Sequence, residues 1–291
     1  MKTRTKTFLR HAARIILVFT FLFLAVGYYE VDQILRPPRN IPQGKTLRKF
    51  NIPYQEVDLH TSDGVRLAAW YTPPRKGTAV ILVAHGFGDQ RPEWVYEMLA
   101  RSGYGVLAWD ARAHGESDGE ISTVGYLEVL DVKAALDYAL AQPNVTRVGA
   151  WGGSMGAATL IRAAAQYPEI EALFVDSSFA AMEDEFDYLV PYPVLNPLAK
   201  ILVEIRTGIS LHDLRPVDAI ARISPRPVYI VHSAADKVAP PDAGERLYNA
   251  AREPKFLWVE ESVPHQQIYH ANPRRYRKRL IGFFDEWLLG K

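Results

Sequence analysis

Through most of this chain, short uninterrupted apolar runs alternate with stretches whose apolar residues recur at helical spacing. Thr78–Ala84 (TAVILVA) is apolar after its first position, as a strand covered on both faces requires. Tyr104–Trp109, Arg147–Trp151, Ala172–Val175, Pro227–Val231 and Phe256–Glu260 read as further strands. Trp94–Arg101, the series Val129, Val132, Leu136 and Leu140, Met155–Gln166 and Ala243–Ala251 read as the helices between them. Near the C-terminus Tyr276, Leu280, Phe283, Phe284 and Trp287 fall on one helical stripe. Tyr54–Leu59 and Val65–Tyr71 flank the turn signal Ser62-Asp63-Gly64 and should pair as a hairpin. Strand–helix alternation predicts an α/β domain with a mostly parallel central sheet and helices on both faces. The hairpin adds antiparallel strands at one edge. The stretch between Val175 and Pro227 exceeds what one crossover needs, so residues 179–214 are expected to supply a small helical cap.

The N-terminus breaks this pattern. Ile15–Tyr29 is uncharged and mostly apolar, and Lys2, Arg4, Lys6, Arg10 and Arg14 precede it. As a helix the run covers roughly 22 Å, short of a hydrocarbon core of about 30 Å. Snorkelling by Arg14 and interfacial seating of Tyr28 and Tyr29 can close the gap, which makes residues 1–29 an uncleaved membrane anchor. A cleaved signal peptide is the rival reading, with Ala25-Val26-Gly27 as a small-x-small site. In both cases the cations stay cytoplasmic. The chain is then a single-pass membrane protein with an extracytoplasmic domain or, after cleavage, a secreted one. Residues 30–52 hold Pro37, Pro38 and Pro42 without a sustained period and read as a linker, leaving 53–291 as the domain.

Composition narrows the partners. With 291 residues, 48% hydrophobic, the chain has ample material for a core, and its net charge of +1 creates no field for nucleic acid. The absence of cysteine excludes disulfides, thiolate metal sites and a Cys nucleophile. The histidines are dispersed and no H-E-x-x-H occurs, so neither metal nor cofactor is expected. Arg274, Arg275, Arg277, Lys278 and Arg279 fit a solvated helix face better than a site for anionic lipid.

The chemistry centres on Gly152-Gly153-Ser154-Met155-Gly156, between an apolar strand and an alanine-rich helix. A nucleophilic serine must project from a sharp strand-to-helix turn, and Gly152 and Gly156 remove side chains that would clash there. A dinucleotide loop is the competing reading, with Asp176 at the end of the next strand, but Trp151 stands where that motif needs glycine. A serine needs a base, and the base an orienting acid, in the order Ser, acid, His. Asp236 after strand 227–231 and His265 after the last strand fill those places, although each could be a plain loop residue. His270 ranks second as base. The Met155 N–H, at the positive end of the helix, and the Phe87 N–H, in the loop His85-Gly86-Phe87-Gly88-Asp89, are the expected oxyanion donors. His85 itself should brace its loop.

Together these residues resemble the α/β-hydrolase superfamily over about residues 54–290. Asp110-Ala111-Arg112-Ala113-His114-Gly115-Glu116-Ser117 is similar to the family's D-x-R-G-H-G-x-S loop, and Val231–Pro240 to its acid loop H-G-x-x-D-x-x-V-P. Within the superfamily the chain resembles the often membrane-anchored Bem46 and prolyl-oligopeptidase-like groups. Ala113 and Ser233 replace glycines without consequence for the chemistry, whereas Pro264 before His265 could alter the pose of the base. The resemblance implies the α/β-hydrolase fold and hydrolysis of an ester or thioester of a small or lipid-like acyl substrate. Short peptides or amides are the alternative substrates, and a catalytically silent binding scaffold is the alternative of another class. Phe186, Tyr188, Tyr192 and Leu195 could line an acyl pocket or simply pack the cap.

Overall fold

The computed structural model of the chain describes residues 2–75, 77–193 and 195–291, with side chains from residue 11 onward. The side chains of Lys2, Arg4, Lys6 and Arg10 therefore lie outside the described residues. Among the described residues one eight-stranded sheet forms from β1 (Gln55–His60), β2 (Arg66–Thr72), β3 (Ala79–Ala84), β4 (Gly105–Trp109), β5 (Arg147–Gly153), β6 (Ile170–Asp176), β7 (Val228–Ser233) and β8 (Lys255–Glu260). The spatial order is β1-β2-β4-β3-β5-β6-β7-β8. β2 is antiparallel to both β1 and β4, and every other pairing is parallel. This is the α/β-hydrolase fold.

β3 shows why its sequence carries no alternation. Val80, Leu82 and Ala84 enter the core on one face of the sheet, while Ala79, Ile81 and Val83 enter the core on the other. The C-terminal helix Pro273–Leu289 covers the second face with Tyr276, Leu280, Phe283, Phe284 and Leu288. It sits close because Gly149 leaves room, a Cβ there meeting Leu288 at 2.7 Å and Phe284 at 2.9 Å. Where this helix meets β8, Arg275 and Arg279 stack on Trp258, and Arg275 also pairs with Glu260, so two of its five clustered cations are engaged within the domain. A third cluster under the cap joins Phe179, Met182, Leu202, Leu211 and Leu214. The cap consists of the helices Met182–Leu189 and Leu195–Thr207 and the short turn Leu211–Asp213.

The stretch read as a linker behaves otherwise. The N-terminal helix runs Lys2–Leu35, six residues past the apolar run, and Val31 and Leu35 are buried under the cap. Arg39 donates to the carbonyls of Ser117 (2.6 Å), Gly119 (2.7 Å) and Gly115 (3.2 Å). Leu47, in the short helix Lys45–Lys49, is fully buried in the second core with Ile52 beside it. Residues 31–52 dock through isolated anchors, not a periodic face, so periodicity could not reveal them. Upstream, His11–Leu35 is long and apolar enough to cross a membrane, with a mean hydropathy of 1.9 and no burial of its most apolar window.

Leu47→Ala should therefore cost about 2–5 kcal/mol in urea unfolding of the chain. A change within about 0.5 kcal/mol, typical of surface positions, would mean that the segment hangs free.

Candidate active site

β5 ends at Gly153 and the helix Met155–Ala164 begins two residues later, so Ser154 alone makes the turn. It does so at φ 50° and ψ −120°, a conformation that L-residues adopt at a cost of about 1–3 kcal/mol. The helix crosses the sheet at contact distance. A Cβ on Gly156 would stand 2.4 Å from the Ala84 carbonyl oxygen, and one on Gly152 would stand 2.7 Å from Gly156. The Ser154 N–H is held by the Asp176 carbonyl at 2.8 Å.

His265 follows β8 and projects back to this turn. Its Nε2 lies 2.9 Å from Ser154 Oγ, and its Nδ1 donates to Asp236 Oδ2 at 2.6 Å. That bond fixes the tautomer: Nδ1 carries the proton and Nε2 faces the hydroxyl as an acceptor. Asp236 is buried, and its other oxygen accepts the Val238 and Ala239 amides at 2.8 and 3.0 Å. Pro264 leaves the imidazole within reach of both partners. Ser233, in place of glycine, donates to the Val263 carbonyl and so ties the acid loop to the loop bearing the imidazole. His270 lies elsewhere, packed beside Trp94 and Tyr269.

Phe87 and Met155 line the same cavity as Ser154. The Phe87 N–H has no hydrogen-bond partner among the described residues, and Met155 opens its helix, where an amide has no intrahelical acceptor. His85 and His114 brace this loop. His85 donates from Nδ1 to the Gly86 carbonyl and accepts the Ala111 amide, while His114 accepts the Gly88 amide at 3.0 Å. Burial pushes both imidazoles down, His114 to about 4, so they serve as neutral braces. Asp176, the residue a dinucleotide reading would have used, lies buried beneath the site. It accepts Tyr276 Oη at 2.8 Å and Ser177 Oγ at 2.9 Å, and burial raises its carboxyl to about 6. Trp151 in turn donates to Tyr276.

The cavity holds about 380 Å³, a ligand-sized volume, and most of its wall is apolar: Phe179, Met182, Phe186, Leu211 and Leu214 from the cap region, Ile34 and Leu35 from the N-terminal helix. Of the aromatics singled out in the cap, Phe186 lines it. Tyr188 instead donates to the Asp236 backbone carbonyl, and Tyr192 and Leu195 lie exposed on the outside. Two lining residues carried no sequence signal. Gln266, next to His265, reaches over the site where a Cβ on Gly86 or Gly153 would collide with it. Glu185 is buried with one carboxyl oxygen unpartnered, and burial pushes it up to about 8. Beyond His265 and Gln266 a more polar cleft of about 580 Å³ is lined by Lys45, Asp89, Arg91 and His270. Among the described residues no group of three or more His, Asp or Glu offers a metal a ligand set.

Comparison with known proteins places the chain among hydrolases. Residues 75–223, about half of the chain, match the serine aminopeptidase S33 family. The uncharacterized protein Rv2307c of Mycobacterium tuberculosis is 31% identical over 217 residues, 72% of each chain. The uncharacterized protein YqkD of Bacillus subtilis is 28% identical over 233 residues, 76% of each. Among solved structures, the Pyrococcus furiosus esterase Pf2001 superposes with a TM-score of 0.73 at 25% identity, covering 87% of this chain and 99% of that one. The chain therefore belongs to the serine aminopeptidase S33 family of hydrolases, within the α/β-hydrolase superfamily.

Proposed function

We propose that this hydrolase cleaves carboxylic esters or thioesters of small or lipid-like acyl compounds through an acyl-enzyme on Ser154. The observation that carries the reading is one imidazole set between a serine hydroxyl (2.9 Å) and a buried carboxylate (2.6 Å) beside an apolar cavity. Ser154 Oγ attacks the acyl carbon and its proton passes to His265 Nε2. Asp236 stays ionised and stabilises the imidazolium, and the Phe87 and Met155 amides receive the oxyanion. The ester C–O bond breaks as His265 returns the proton to the leaving alcohol. Water then attacks the acyl carbon, gives its proton to His265, and the acid departs as Ser154 recovers its hydrogen. The apolar wall suits the acyl chain and the polar cleft beyond His265 suits the leaving group. Within the same reading, residues 1–29 anchor the chain in a membrane, as the length and hydropathy of the helix support.

A second substrate class has one observation in its favour beyond the family: Glu185 is the one acid among the cavity-lining residues and could face a peptide's ammonium. Its burial favours the neutral carboxylic acid near pH 7, which argues for an apolar acyl group. Aminoacyl p-nitroanilides tested beside p-nitrophenyl esters separate the two, and faster turnover of the esters is expected.

Ser154→Ala should lower turnover of p-nitrophenyl butyrate by about 10⁴-fold or more with KM little changed, and Asp236→Asn should lower it by a similar factor through the wrong imidazole tautomer. Retained turnover in pure Ser154→Ala protein defeats the mechanism. Glu185 makes a separate prediction about pH. Between its ordinary value of 4.5 and about 8, the folded chain holds a proton that the unfolded chain has released. The unfolded state then binds fewer protons, so this carboxyl makes stability fall as pH rises through that window. Glu185→Gln should flatten the fall in thermal midpoint between about pH 5 and 8; an unchanged slope would show that the carboxyl titrates normally.

A further inference from the structure

We propose that the cap helix Leu195–Thr207 and the N-terminal helix form one membrane-seated face, and that the acyl chain of a bilayer lipid ester enters the cavity from the leaflet at this face. The proposal rests on the ester-hydrolase and anchor readings above and extends the membrane contact from residues 1–29 to the cap.

The first support is the relative direction of the two helices. Gly27 faces Leu202, whose Cδ1 lies 3.1 Å from where a Cβ would stand, and Asp32 pairs with Arg206 at 2.5 Å. Residue numbers rise together along both helices, so they run parallel. From Leu202 back to Leu195 the cap helix reaches about 10 Å along its neighbour, to the level of about residue 20. That level is inside the apolar run Ile15–Tyr29. A bilayer that holds the run meets this half of the cap helix as well.

The cap helix is built for that contact. Lys200 pairs with Asp187 at 2.6 Å, Glu204 accepts from Ser210 Oγ and the Leu211 amide, and Arg206 is held by Asp32. Its charged groups are thus paired within the protein, while Ile201 and Ile205, one turn apart, stand 53% and 65% exposed. A helix facing water shows the reverse arrangement. The exposed side chains of the neighbouring helix, Ile15 to Tyr29, continue the same apolar surface.

The mouth of the cavity opens at the matching depth. Ile34 and Leu189 line the cavity and are yet 66% and 50% exposed, which puts them at its rim. Ile34 is five helical residues beyond the apolar run, about 7 Å along the axis. A headgroup layer is about 5–7 Å thick, so the rim lies near the top of that layer, one headgroup's depth from the ester linkages of the lipids. A lipid raised by that depth can slide its tail along the exposed apolar side chains of the two helices to the rim and onto the apolar wall. The reaction is unchanged: the lipid's acyl C–O bond is the one broken.

The chain has no cysteine, so single-cysteine reporters can be introduced without background. Ile201→Cys, Ile205→Cys and, on the edge strand β1, Glu56→Cys would each be labelled with nitrobenzoxadiazole in the full chain and reconstituted in phosphatidylcholine vesicles. Blue-shifted emission at 201 and 205, quenched by spin-labelled acyl chains, with aqueous emission at 56, is the expected result. Vesicles that float with the protein while 201 and 205 stay aqueous overturn the proposal and leave the anchor intact; protein that does not float removes the anchor reading and this one with it. In the second arm, Ile201→Glu/Ile205→Glu should lower hydrolysis of a long-chain ester embedded in vesicles by about tenfold or more. Turnover of soluble p-nitrophenyl acetate should persist in that variant. Equal loss of both activities, or loss of neither, contradicts entry from the leaflet, and wild-type protein inert on p-nitrophenyl acetate would instead sink the ester reading.

Discussion

The arrangement of this molecule hangs on the contact between Gly156 and the end of β3. A helix separated from its strand by a single residue must cross the sheet with no space for a side chain, and the carbonyls of Ala84 and His85 occupy the place where a Cβ on Gly156 would stand. That contact forces Ser154 into φ 50°, outside the comfortable range of an L-residue, and aims its hydroxyl away from both elements. The same contact brings the loop after β3, with its unpartnered Phe87 amide, alongside the first turn of the helix. Hydroxyl, amides and helix dipole thereby converge without any long-range adjustment.

Two buried polar systems hold what surrounds the turn. Beneath it, Trp151, Tyr276, Asp176 and Ser177 form a chain of hydrogen bonds, and Ser177 receives the Gln266 amide at 3.2 Å, which steadies the loop carrying His265. Beside it, the Asp110–Ser117 loop is pinned by ion pairs. Arg91 meets Asp110 at 3.1 Å, and Arg112 joins Asp131 and Asp63 at 2.8 and 2.7 Å. Charges this deep are tolerated because each has a partner, and removing one partner leaves a buried charge uncompensated. The same accounting singles out Glu185, which has no partner among the described residues and lines the cavity beside Ser154.

The sheet and its order of elements were legible because strands buried on both faces leave unbroken apolar runs, such as Thr78–Ala84, that local pattern can detect. The approach of Ser154, Asp236 and His265 followed from where those strands end. Other parts of the site exist only after assembly. Ile34 and Leu35 became cavity wall because a helix read as a membrane segment continues into the domain, and single anchors such as Leu47 leave no periodic trace. Glu185 looked like one acid among several in Met182–Leu189, since its burial depends on the cap closing over it. Tyr192 and Leu195, plausible as pocket residues from composition, lie exposed because they precede the part of the cap helix that enters the core through Leu198, Leu202 and Val203.

The central claim is that one serine hydroxyl in this chain is made nucleophilic by the imidazole beside it. Its most direct measurement is peptide mapping by mass spectrometry after brief exposure to a fluorophosphonate, which phosphonylates activated serines in preference to ordinary ones. The account predicts a single adduct, on the peptide containing Ser154, that disappears when His265 is replaced by alanine. An adduct on any other serine, or an unmodified chain, would contradict it.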